Sequence, residues 1–470
     1  MKFYITTSIA YTNAGPHIGF ALESIQADVL ARYHRILGDD VFFLTGTDEH
    51  GIKVVKAAEK EGKTPTEFID EISAKFRDLK RILNLSNDYF LRTTDKNRHW
   101  PIVREAWSKI KEKGDIYKKK YKGLYCVGCE AFIMKKDLVD GKCVVHQKEP
   151  EIIEEENYFF RLSKYQKEIS EAIKKDEIII IPKATKNEMM TFVEQGLEDV
   201  SFSRSSKNLT WGIPVPEDES QTIYVWADAL INYISGLEKT NFEKYWPIDV
   251  HCVGKDITKF HCLIWPGMLF SLGLSLPKKI LVHGFINVAG QKMSKSLRNI
   301  VDPFELVEKY GTDAVRYFLL REMPPTQDGD FTYEKFEDRY TADLSKGLGN
   351  LTARIITLAN KLDVKKNDKI ENILIKLAIE EAQQECDNSL QQLKFNDSLV
   401  AIWKLIGVCD KYIDQTKPWE QSTNQKQVLQ DLLSALDYIS KLLKPFLPET
   451  SEKIFKQVKE RKGDILFPQL

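Results

Sequence analysis

The chain has 470 residues, of which 43% are hydrophobic and 29% are charged. This length suits about three domains, and this composition excludes a disordered, collagen-like or disulfide-stapled protein. Because 68 basic residues balance 69 acidic ones, any nucleic acid must be bound by local patches rather than by a chain-wide positive field. The sequence shows neither a secretion signal nor an apolar stretch long enough to span a membrane, so we expect a cytoplasmic protein without a membrane partner.

Strand and helix signals alternate at the start of the chain. Phe3 to Ile9 is a β-rich apolar run, a helical stripe runs from Ile18 to Ile36 and stops at Gly38, and Val41–Leu44 is a second buried strand. This order predicts the opening of a parallel α/β sheet, in which ligands bind at the carboxyl ends of the strands.

The α/β pattern stops near residue 117 and resumes near residue 222. The resumed part holds predicted strands at Thr222–Trp226, His251–Val253 and Lys279–Val282, with an apolar helix near 263–274. From residue 341, glycine is rare and apolar residues recur with helical spacing, which predicts a bundle of four or more helices. We therefore predict two halves of a sheet domain (1–116 and 222–290), an inserted domain (117–221), a connecting region (291–340) and a helical domain (341–470).

One candidate phosphate-binding segment is the loop Gly15–Phe20 (GPHIGF) between the first strand and the first helix. A helix start presents free backbone N–H groups and a partial positive charge, both of which favour anions. His17 can donate a hydrogen bond there, and Gly19 allows a ligand to approach the backbone. A buried histidine beside a helix start would explain this segment equally well on its own.

A second candidate phosphate-binding segment is Gly290–Ser296 (GQKMSKS), which follows a predicted strand. Lys292 and Lys295 could hold a polyphosphate as its charge shifts during attack at phosphorus. A solvated basic loop is the alternative, but two such segments in one interrupted sheet favour nucleotide chemistry.

Shortly afterwards, Asp302 and Pro303 have the residue types of an N-cap and a first helical position, which predicts a helix there.

Three cysteines and a histidine form two C-x2-[CH] pairs in the inserted domain. The four residues are Cys126, Cys129, Cys143 and His146. Four such ligands suit a closed tetrahedral site, which contributes folding energy and leaves no position for a substrate. We therefore predict one structural Zn²⁺ per chain.

The two phosphate-binding segments resemble the two signature sequences of class I aminoacyl-tRNA synthetases, and the chain is similar to methionyl-tRNA synthetases along nearly its whole length. The resemblance implies a Rossmann-like parallel sheet interrupted by a zinc-knuckle insertion domain and followed by an all-α anticodon-binding helical bundle. The first signature usually ends in a second histidine, whereas this chain has Phe20, which cannot donate a hydrogen bond to phosphate. The second signature, KMSKS, is complete, and Lys295 is the lysine expected to matter most. The resemblance implies catalytic roles for His17, Gly19, Lys292 and Lys295, and ATP contacts from Gly15, His17, Phe20, Lys292, Met293, Ser294, Lys295 and Ser296.

The resemblance also implies an amino-acid pocket. Its residues in this chain are Ile9, Tyr11, Asp48, Trp226, Ala229, Tyr233, Phe260, His261 and Ile264. The Asp48 carboxylate would bind the substrate ammonium group, and an aromatic box suits the apolar, polarizable methionine side chain. The Tyr11 hydroxyl and a ring N–H of His261 are candidate partners for the thioether. Without the resemblance, the aromatic residues would be interpreted as core.

Three residues of the helical domain match the positions that bind the anticodon in this family: Asn350, Arg354 and Trp419. Asn350 and Arg354 are one helical turn apart and so share a face. Hydrogen bonds to base edges and aromatic stacking are the usual means of binding splayed RNA bases. The basic run Lys118–Lys120 with Lys122 either lies near the acceptor end of the tRNA or forms a solvated face.

The resemblance implies a methionine–tRNA ligase whose partners are ATP, L-methionine and tRNA(Met). The methionine carboxylate would attack the α-phosphate of ATP, with Mg²⁺ accompanying the nucleotide, and the resulting adenylate would pass its acyl group to the 3′ end of tRNA(Met). Two alternatives stay open: a class I synthetase for another amino acid, and a non-catalytic tRNA-binding paralogue, which Phe20 suggests. Because the sequence ends soon after the bundle, without an appended dimerisation domain, we expect a monomer.

Overall fold

The computed structural model describes residues 1–126, 131–133, 138–144, 147–293, 299–367, 369–420 and 424–470, with the backbone alone for 131–133 and 153. These residues cluster into two compact units. Unit 1 comprises Met1–Pro16, Asp39–Asp78 and Asn87–Val282, and unit 2 comprises His17–Gly38, Leu79–Ser86 and His283–Leu470. Within the described residues, no helix combines the length and the apolar character that crossing a membrane requires.

Strands and helices alternate in the first three hundred residues, and after Phe331 the described residues form helices without strands. The strands are β1 (Lys2–Thr7), β2 (Ala10–Tyr11), β3 (Asp40–Asp48), β4 (Tyr89–Arg92), β5 (Ile116–Cys126), β6 (Ala131–Ile133), β7 (Leu138–Val139), β8 (Lys142–Cys143), β9 (Glu151–Phe160), β10 (Ile179–Ile181), β11 (Val200–Ser201), β12 (Ser203–Ser205), β13 (Pro214–Val215), β14 (Asp218–Ile223), β15 (Val250–Gly254), β16 (Lys279–His283), β17 (Ile286–Val288), β18 (Gln291–Lys292) and β19 (Gly329–Phe331). The helices are α1 (Ile18–Ile36), α2 (Ile52–Lys60), α3 (Pro65–Ile82), α4 (His99–Glu112), α5 (Gln166–Lys174), α6 (Lys183–Glu194), α7 (Val225–Ala229), α8 (Asn232–Ser235), α9 (Lys239–Tyr245), α10 (Trp265–Leu272), α11 (Pro303–Tyr310), α12 (Thr312–Arg321), α13 (Tyr333–Arg339), α14 (Asn350–Lys361), α15 (Ile373–Gln391), α16 (Phe395–Thr416), α17 (Gln425–Leu443) and α18 (Pro448–Glu460).

A seven-stranded sheet forms the centre of unit 1. Its order is β10-β16-β15-β1-β3-β2, and β4 also pairs with β3. β1 pairs in parallel with β15 and β3, β3 pairs in parallel with β2 and β4, and β10 pairs in parallel with β16. Strand β1 is buried along five of its six residues, as expected for a parallel strand covered on both faces. The predicted parallel α/β core is confirmed.

The segment 117–221 contains antiparallel structure and one strand of the main sheet. β5 and β9 pair in a long antiparallel ribbon, flanked by β6 and β11, and β12, β14 and β13 form a separate small sheet. β10, from the middle of this segment, pairs with β16 of the parallel sheet. The predicted strand Thr222–Trp226 differs from the structure, because β14 ends at Ile223 in the small antiparallel sheet and helix α7 begins at Val225.

Unit 2 consists of α1, a small sheet of β18, β17 and β19, and the helices from α11 onwards. The Asp302 carboxylate accepts a hydrogen bond of 2.8 Å from the N–H of Phe304, so the predicted N-cap of α11 is confirmed. Buried apolar residues recur every three or four positions in α16, at Leu399, Ile402, Leu405, Ile406, Cys409 and Ile413. This spacing gives α16 one apolar face for the bundle core, and the predicted helical domain is confirmed.

Candidate active site

Tyr11 and Asp48 lie side by side at the carboxyl ends of parallel strands in unit 1. They are register partners in the β2–β3 pair, and the backbone N–H and the hydroxyl of Thr12 both donate to the Asp48 carbonyl oxygen at 3.0 Å. The Asp48 side chain is buried, and the Lys53 ammonium group lies 5.4 Å from the centre of the Tyr11 ring. Ile9, between β1 and β2, is partly buried. A buried carboxylate at the carboxyl ends of these strands is well placed to bind an ammonium group.

Trp226 and Phe260 stack face to face, with ring centroids 3.8 Å apart and an angle of 8° between the ring planes. Trp226 belongs to α7, whereas Phe260 begins a π-helical turn, Phe260–Ile264, that leads into α10. Such turns are rare and often occur at functional sites. Both rings remain partly exposed, whereas the neighbouring pocket candidates Ala229, Tyr233 and Ile264 are buried.

The ring of His261 is neutral, and both of its nitrogens have partners. Nδ1 lies 3.0 Å from the carbonyl oxygen of Ile257, which can only accept, so Nδ1 carries the proton. Nε2 therefore accepts the hydrogen bond of 2.7 Å from the Tyr233 hydroxyl. Burial lowers the pKa of His261 to about 4, which keeps the ring neutral near pH 7.

This proton arrangement differs from the expectation that His261 donates a ring N–H to a thioether. The N–H of His261 is already donated to Ile257, and its second nitrogen is an acceptor for Tyr233. The pair instead offers a buried, uncharged wall, because neither ring carries charge near neutral pH. Such a wall suits an apolar side chain.

The backbone of the first signature forms the start of α1 in unit 2. His17 is the N-cap, and its Nδ1 accepts a hydrogen bond of 3.0 Å from the N–H of Gly19. Since Nδ1 accepts, the proton of the neutral ring is on Nε2, which is then the atom able to donate to a phosphate. A Cβ atom on Gly19 would lie 2.8 Å from Cε1 and 2.9 Å from Nδ1 of His17. The position of the His17 ring is therefore one structural reason for a glycine at residue 19.

The second signature lies at the tip of the small sheet of unit 2, and part of it falls outside the described residues. Lys292 ends β18 and is exposed, and the N–H of Gly290 donates to the Asp330 carboxylate at 2.7 Å. The Met293 methyl group lies 3.9 Å from the position that a Cβ of Gly19 would take, so the structure brings Met293 close to the first turn of α1. Phe20 is partly buried in α1, and Gly15 belongs to unit 1. Ser294, Lys295 and Ser296 lie outside the described residues.

Two of the three anticodon candidates meet in the helical bundle. The Arg354 guanidinium lies 5.6 Å from the centre of the Trp419 ring. The same guanidinium pairs with Asp414 at 2.5 Å and with Asp410 at 3.7 Å. Trp419 is 48% exposed, and Asn350 is exposed at the start of α14. An exposed indole beside a guanidinium is a suitable platform for a nucleic-acid base.

The basic run on β5 faces an acidic strand. Lys118 pairs with Asp218 at 2.9 Å and with Glu156 at 3.7 Å, and Lys122 lies 3.7 Å from Glu154 on β9. These acidic partners neutralise part of the positive charge on the ribbon. The geometry therefore supports a solvated face better than an RNA-binding patch.

Two of the four predicted zinc ligands are described. Cys126 ends β5 and Cys143 ends β8, and both side chains are buried although the nearby Val139 and Val144 are exposed. Cys129 and His146 lie outside the described residues. In the part of the chain that the structure describes, no group of three or more His, Cys, Asp or Glu side chains could hold a metal ion.

Sequence reasoning missed several buried polar residues that contact the pocket candidates. His251 on β15 lies 4.3 Å from Tyr233 between ring centroids, and burial holds the pKa of His251 well below its ordinary value. His50, His99 and Asp228 form a hydrogen-bonded group beside α7. His50 and Asp228 are each two residues away in sequence from a pocket candidate, Asp48 and Trp226. Their hydrogen bond, however, joins positions that are 178 residues apart.

Comparisons with known proteins agree with this arrangement. The family described as "tRNA synthetases class I (M)" matches residues 3–137 and 133–356, and the family described as "Anticodon-binding domain of tRNA ligase" matches residues 374–468. The methionine–tRNA ligase of Caldanaerobacter subterraneus subsp. tengcongensis is 42% identical over 100% of this chain and 79% of its own length. That of Thermotoga maritima is 42% identical over 97% of this chain and 75% of its own length.

Solved structures lead to the same family. The methionyl-tRNA synthetase of Mycobacterium tuberculosis in complex with methionyl-adenylate superposes with a TM-score of 0.91 at 38% identity, over 97% of this chain and 93% of that chain. The apo form of the Mycobacterium tuberculosis enzyme superposes with a TM-score of 0.83 at 33% identity, over 100% of this chain and 98% of that chain. Sequence identity of this extent along the whole chain indicates membership of the same family and not only a shared fold. The chain therefore belongs to the methionine–tRNA ligases, a family of class I tRNA synthetases.

Proposed function

We propose that the residues described above carry out the two steps of methionine–tRNA ligation. In the first step the methionine carboxylate attacks the α-phosphate of ATP and releases diphosphate. In the second step the methionyl group passes to the 3′-terminal ribose of tRNA(Met) and AMP is released. The observation that supports these roles most directly is that the aromatic residues Trp226, Phe260, Tyr233 and His261 lie in the same unit as the buried carboxylate of Asp48.

The proposed roles in methionine binding follow from charge and polarity. Asp48 binds the substrate ammonium group, and Tyr11 lies beside it. Trp226 and Phe260 offer polarizable ring faces to the thioether, a contact worth about 0.3–1.5 kcal/mol. The neutral Tyr233–His261 pair excludes charged side chains, because a charge buried against it would have no partner. Ile9, Ala229 and Ile264 complete the apolar boundary.

The proposed roles in ATP binding rest on hydrogen bonds to phosphate. His17 Nε2–H donates to the nucleotide, and Lys292 and Lys295 neutralise the charge that develops on the phosphates. Mg²⁺ accompanies the ATP and neutralises phosphate charge. Because the substrate carboxylate is itself the nucleophile, positioning and electrostatic stabilisation are sufficient and no side-chain nucleophile is required. Because Phe20 replaces the usual second histidine, His17 is the histidine of the first signature that can donate a hydrogen bond to phosphate.

The proposed role of the bundle is to bind the CAU anticodon. Trp419 stacks on a base, and Arg354 and Asn350 form hydrogen bonds with base edges. Arg354 must exchange its contacts with Asp410 and Asp414 for contacts with RNA, which makes anticodon binding sensitive to the charge of these two carboxylates.

We propose that Cys126, Cys129, Cys143 and His146 hold one structural Zn²⁺. The burial of Cys126 and Cys143 in a region with few other buried side chains is compatible with thiolates that face a common ion. A closed tetrahedral site would supply folding energy to the ribbon of β5 and β9. Elemental analysis of gently purified protein should find one zinc per chain, and its absence would remove this assignment. We also propose a cytoplasmic location and a monomeric state.

Amino-acid-dependent exchange between ATP and diphosphate tests the proposed function. The reaction is run in parallel with methionine, leucine, isoleucine, valine and cysteine. Exchange with methionine alone supports the proposed pocket and shows that Phe20 is tolerated. Exchange with another amino acid retains the reaction but overturns the pocket assignment. If folded and zinc-loaded protein catalyses no exchange with any of the five amino acids, the result indicates the non-catalytic tRNA-binding paralogue.

A further inference from the structure

A buried carboxylate connects two histidines beside the candidate methionine pocket. Asp228 Oδ2 lies 2.6 Å from His50 Nδ1, and Asp228 Oδ1 lies 2.6 Å from His99 Nε2. Asp228 and His99 are 0% exposed and His50 is 2% exposed. An ionised carboxylate can only accept, so the facing nitrogen of each histidine carries a proton. Burial acts to raise the pKa of Asp228, but the histidine partners outweigh it and hold this pKa below its ordinary value.

The same group extends to helix α8. His99 Nδ1 lies 2.6 Å from the hydroxyl of Ser235, the last residue of α8. The neighbouring Arg98 side chain donates to the carbonyl oxygens of Ser235 at 3.0 Å and Gly236 at 2.6 Å. His99, the first residue of α4, therefore contacts α7 through Asp228 and α8 through Ser235.

These hydrogen bonds join the segments that carry most of the pocket candidates. His50 stands two residues after Asp48, at the end of β3. Asp228 lies on α7 between Trp226 and Ala229, and Tyr233 lies on α8. The Asp228 carboxylate thus links the segment that follows Asp48 to helices α7 and α8, which carry the side-chain candidates.

The position of His50 is further restricted by two tryptophans. Its ring lies 5.9 Å from the ring of Trp100 and 6.1 Å from that of Trp211. The indole N–H of Trp211 donates to the carbonyl oxygen of Glu49 at 2.7 Å. These contacts restrict the segment after β3, so we expect a change at Asp228 to displace α7 and α8 more than β3.

We propose that Asp228 is a positioning residue for amino-acid binding, acting through His50 and His99 on the distance between Asp48 and the aromatic wall. The proposal rests on the proposed function and extends it to residues that do not touch the substrate. Because the phosphates of ATP are assigned to other residues, loss of this group should weaken methionine binding selectively.

Steady-state exchange kinetics and direct titration of methionine by calorimetry test the proposal on the full chain. Asp228→Asn keeps the shape but offers one acceptor oxygen in place of two, so one histidine loses its acceptor. We expect the KM and the Kd for methionine to rise at least tenfold while the KM for ATP stays within twofold. Ser235→Ala removes only the hydroxyl that faces His99 and should raise the same two constants two- to fivefold.

Asp115→Asn is the matched control. Asp115 is also 0% exposed in unit 1, and its carboxylate bonds to Lys164 at 2.5 Å, to Ser271 at 2.7 Å and to Tyr165. This variant should lower the Tm but leave the KM for methionine within twofold of that of the unaltered protein.

An unchanged KM for methionine in Asp228→Asn, or an equal rise in the KM for ATP, would overturn the proposal. If Asp228→Asn does not fold, Ser235→Ala decides, and an unchanged KM for methionine in that variant has the same consequence. A different result would contradict the proposed function, namely an unaltered protein that catalyses no exchange with methionine. The two proposals are therefore tested separately.

Discussion

The Nδ1 atom of His17 accepts a hydrogen bond of 3.0 Å from the backbone N–H of Gly19. This contact holds the ring against the first turn of α1 and places the proton of the neutral ring on Nε2. It also explains the glycine, since the ring occupies the space in which a Cβ atom would lie. In the first signature, the His17 side chain therefore folds back over the first turn of α1.

Replacement of Gly19 by alanine should displace the His17 ring. The new Cβ would lie 2.8 Å from Cε1 of His17, which is shorter than real Cβ contacts, and the ring is the part that can move. We expect kcat for adenylate formation to fall about a hundredfold, the usual effect of losing one hydrogen-bond donor to a transition state. Exchange kinetics measure this, and the KM for methionine should change little.

Gly407→Ala is the control for that substitution. Gly407 lies within α16, and nothing lies within 4 Å of the position that its Cβ would take. Its activity should equal that of the unaltered protein. If Gly19→Ala also retains full activity, then the His17 ring does not act from the position seen here.

The low pKa of His261 predicts a dependence of stability on pH. The unfolded chain binds a proton at this ring below about pH 6.5, whereas the folded chain does so only near pH 4. The stabilisation is therefore complete above pH 6.5 and is lost as the pH falls towards 4, by about 3 kcal/mol. His251, whose pKa is also lowered by burial, acts in the same direction.

Urea denaturation of the unaltered protein and of His261→Gln at several pH values checks this expectation. Glutamine does not titrate, so the free energy of unfolding of the variant should fall less between pH 7 and pH 4, by about 3 kcal/mol. Equal slopes in the two proteins would show that His261 titrates alike in the folded and unfolded chains.

A fully buried ion pair should contribute strongly to the stability of unit 2. Arg316 and Asp28 are 2.8 Å apart and both side chains are 0% exposed. Arg316 also donates to the carbonyl oxygens of Leu83, Pro445 and Phe446, so it connects α1, α12 and the turn before α18. Asp28 also pairs with Arg32 at 2.7 Å, so removing Arg316 leaves a buried carboxylate with only one of its two cationic partners.

We expect Arg316→Met to lower the free energy of unfolding by about 3–5 kcal/mol. The exposed pair of Lys404 and Glu385, at 2.9 Å, provides the comparison, and Lys404→Ala should cost less than about 1 kcal/mol. Chemical denaturation of both variants measures the difference. Similar losses in the two variants would mean that Arg32 alone is sufficient to compensate the buried charge of Asp28.

Local signals in the sequence predicted much of the fold. The N-cap at Asp302, the stripe of α1 and the buried run of β1 depend on neighbouring residues, and the structure contains all three. The run Thr222–Trp226 was wrong as a strand because its apolar residues serve two elements, the end of β14 and the start of α7. Residue types alone do not show where such a run changes conformation.

The candidate site could be predicted only where single residues carry the chemistry. The family resemblance made Asp48, Trp226 and His261 candidates for the pocket. The proton arrangement of His261, however, depends on Ile257 and Tyr233 together. The partnership of Asp228 with His50 and His99 joins three separate segments, and no local spacing encodes it. Contacts of this kind arise from packing.

The exposed indole of Trp419 should affect tRNA charging without affecting methionine activation. Stacking of a base on an aromatic side chain contributes about 1–3 kcal/mol, so Trp419→Ala should lower kcat/KM for tRNA about 10- to 100-fold. Arg354→Ala should have a similar effect, since its guanidinium lies 5.6 Å from the same ring. Aminoacylation with tRNA(Met) transcript and exchange without tRNA measure the two steps separately. Tyr438→Ala, at a ring that is 40% exposed on α17, is the control and should change neither step. A loss of exchange activity in Trp419→Ala would show that the substitution disturbs the fold rather than the binding of RNA.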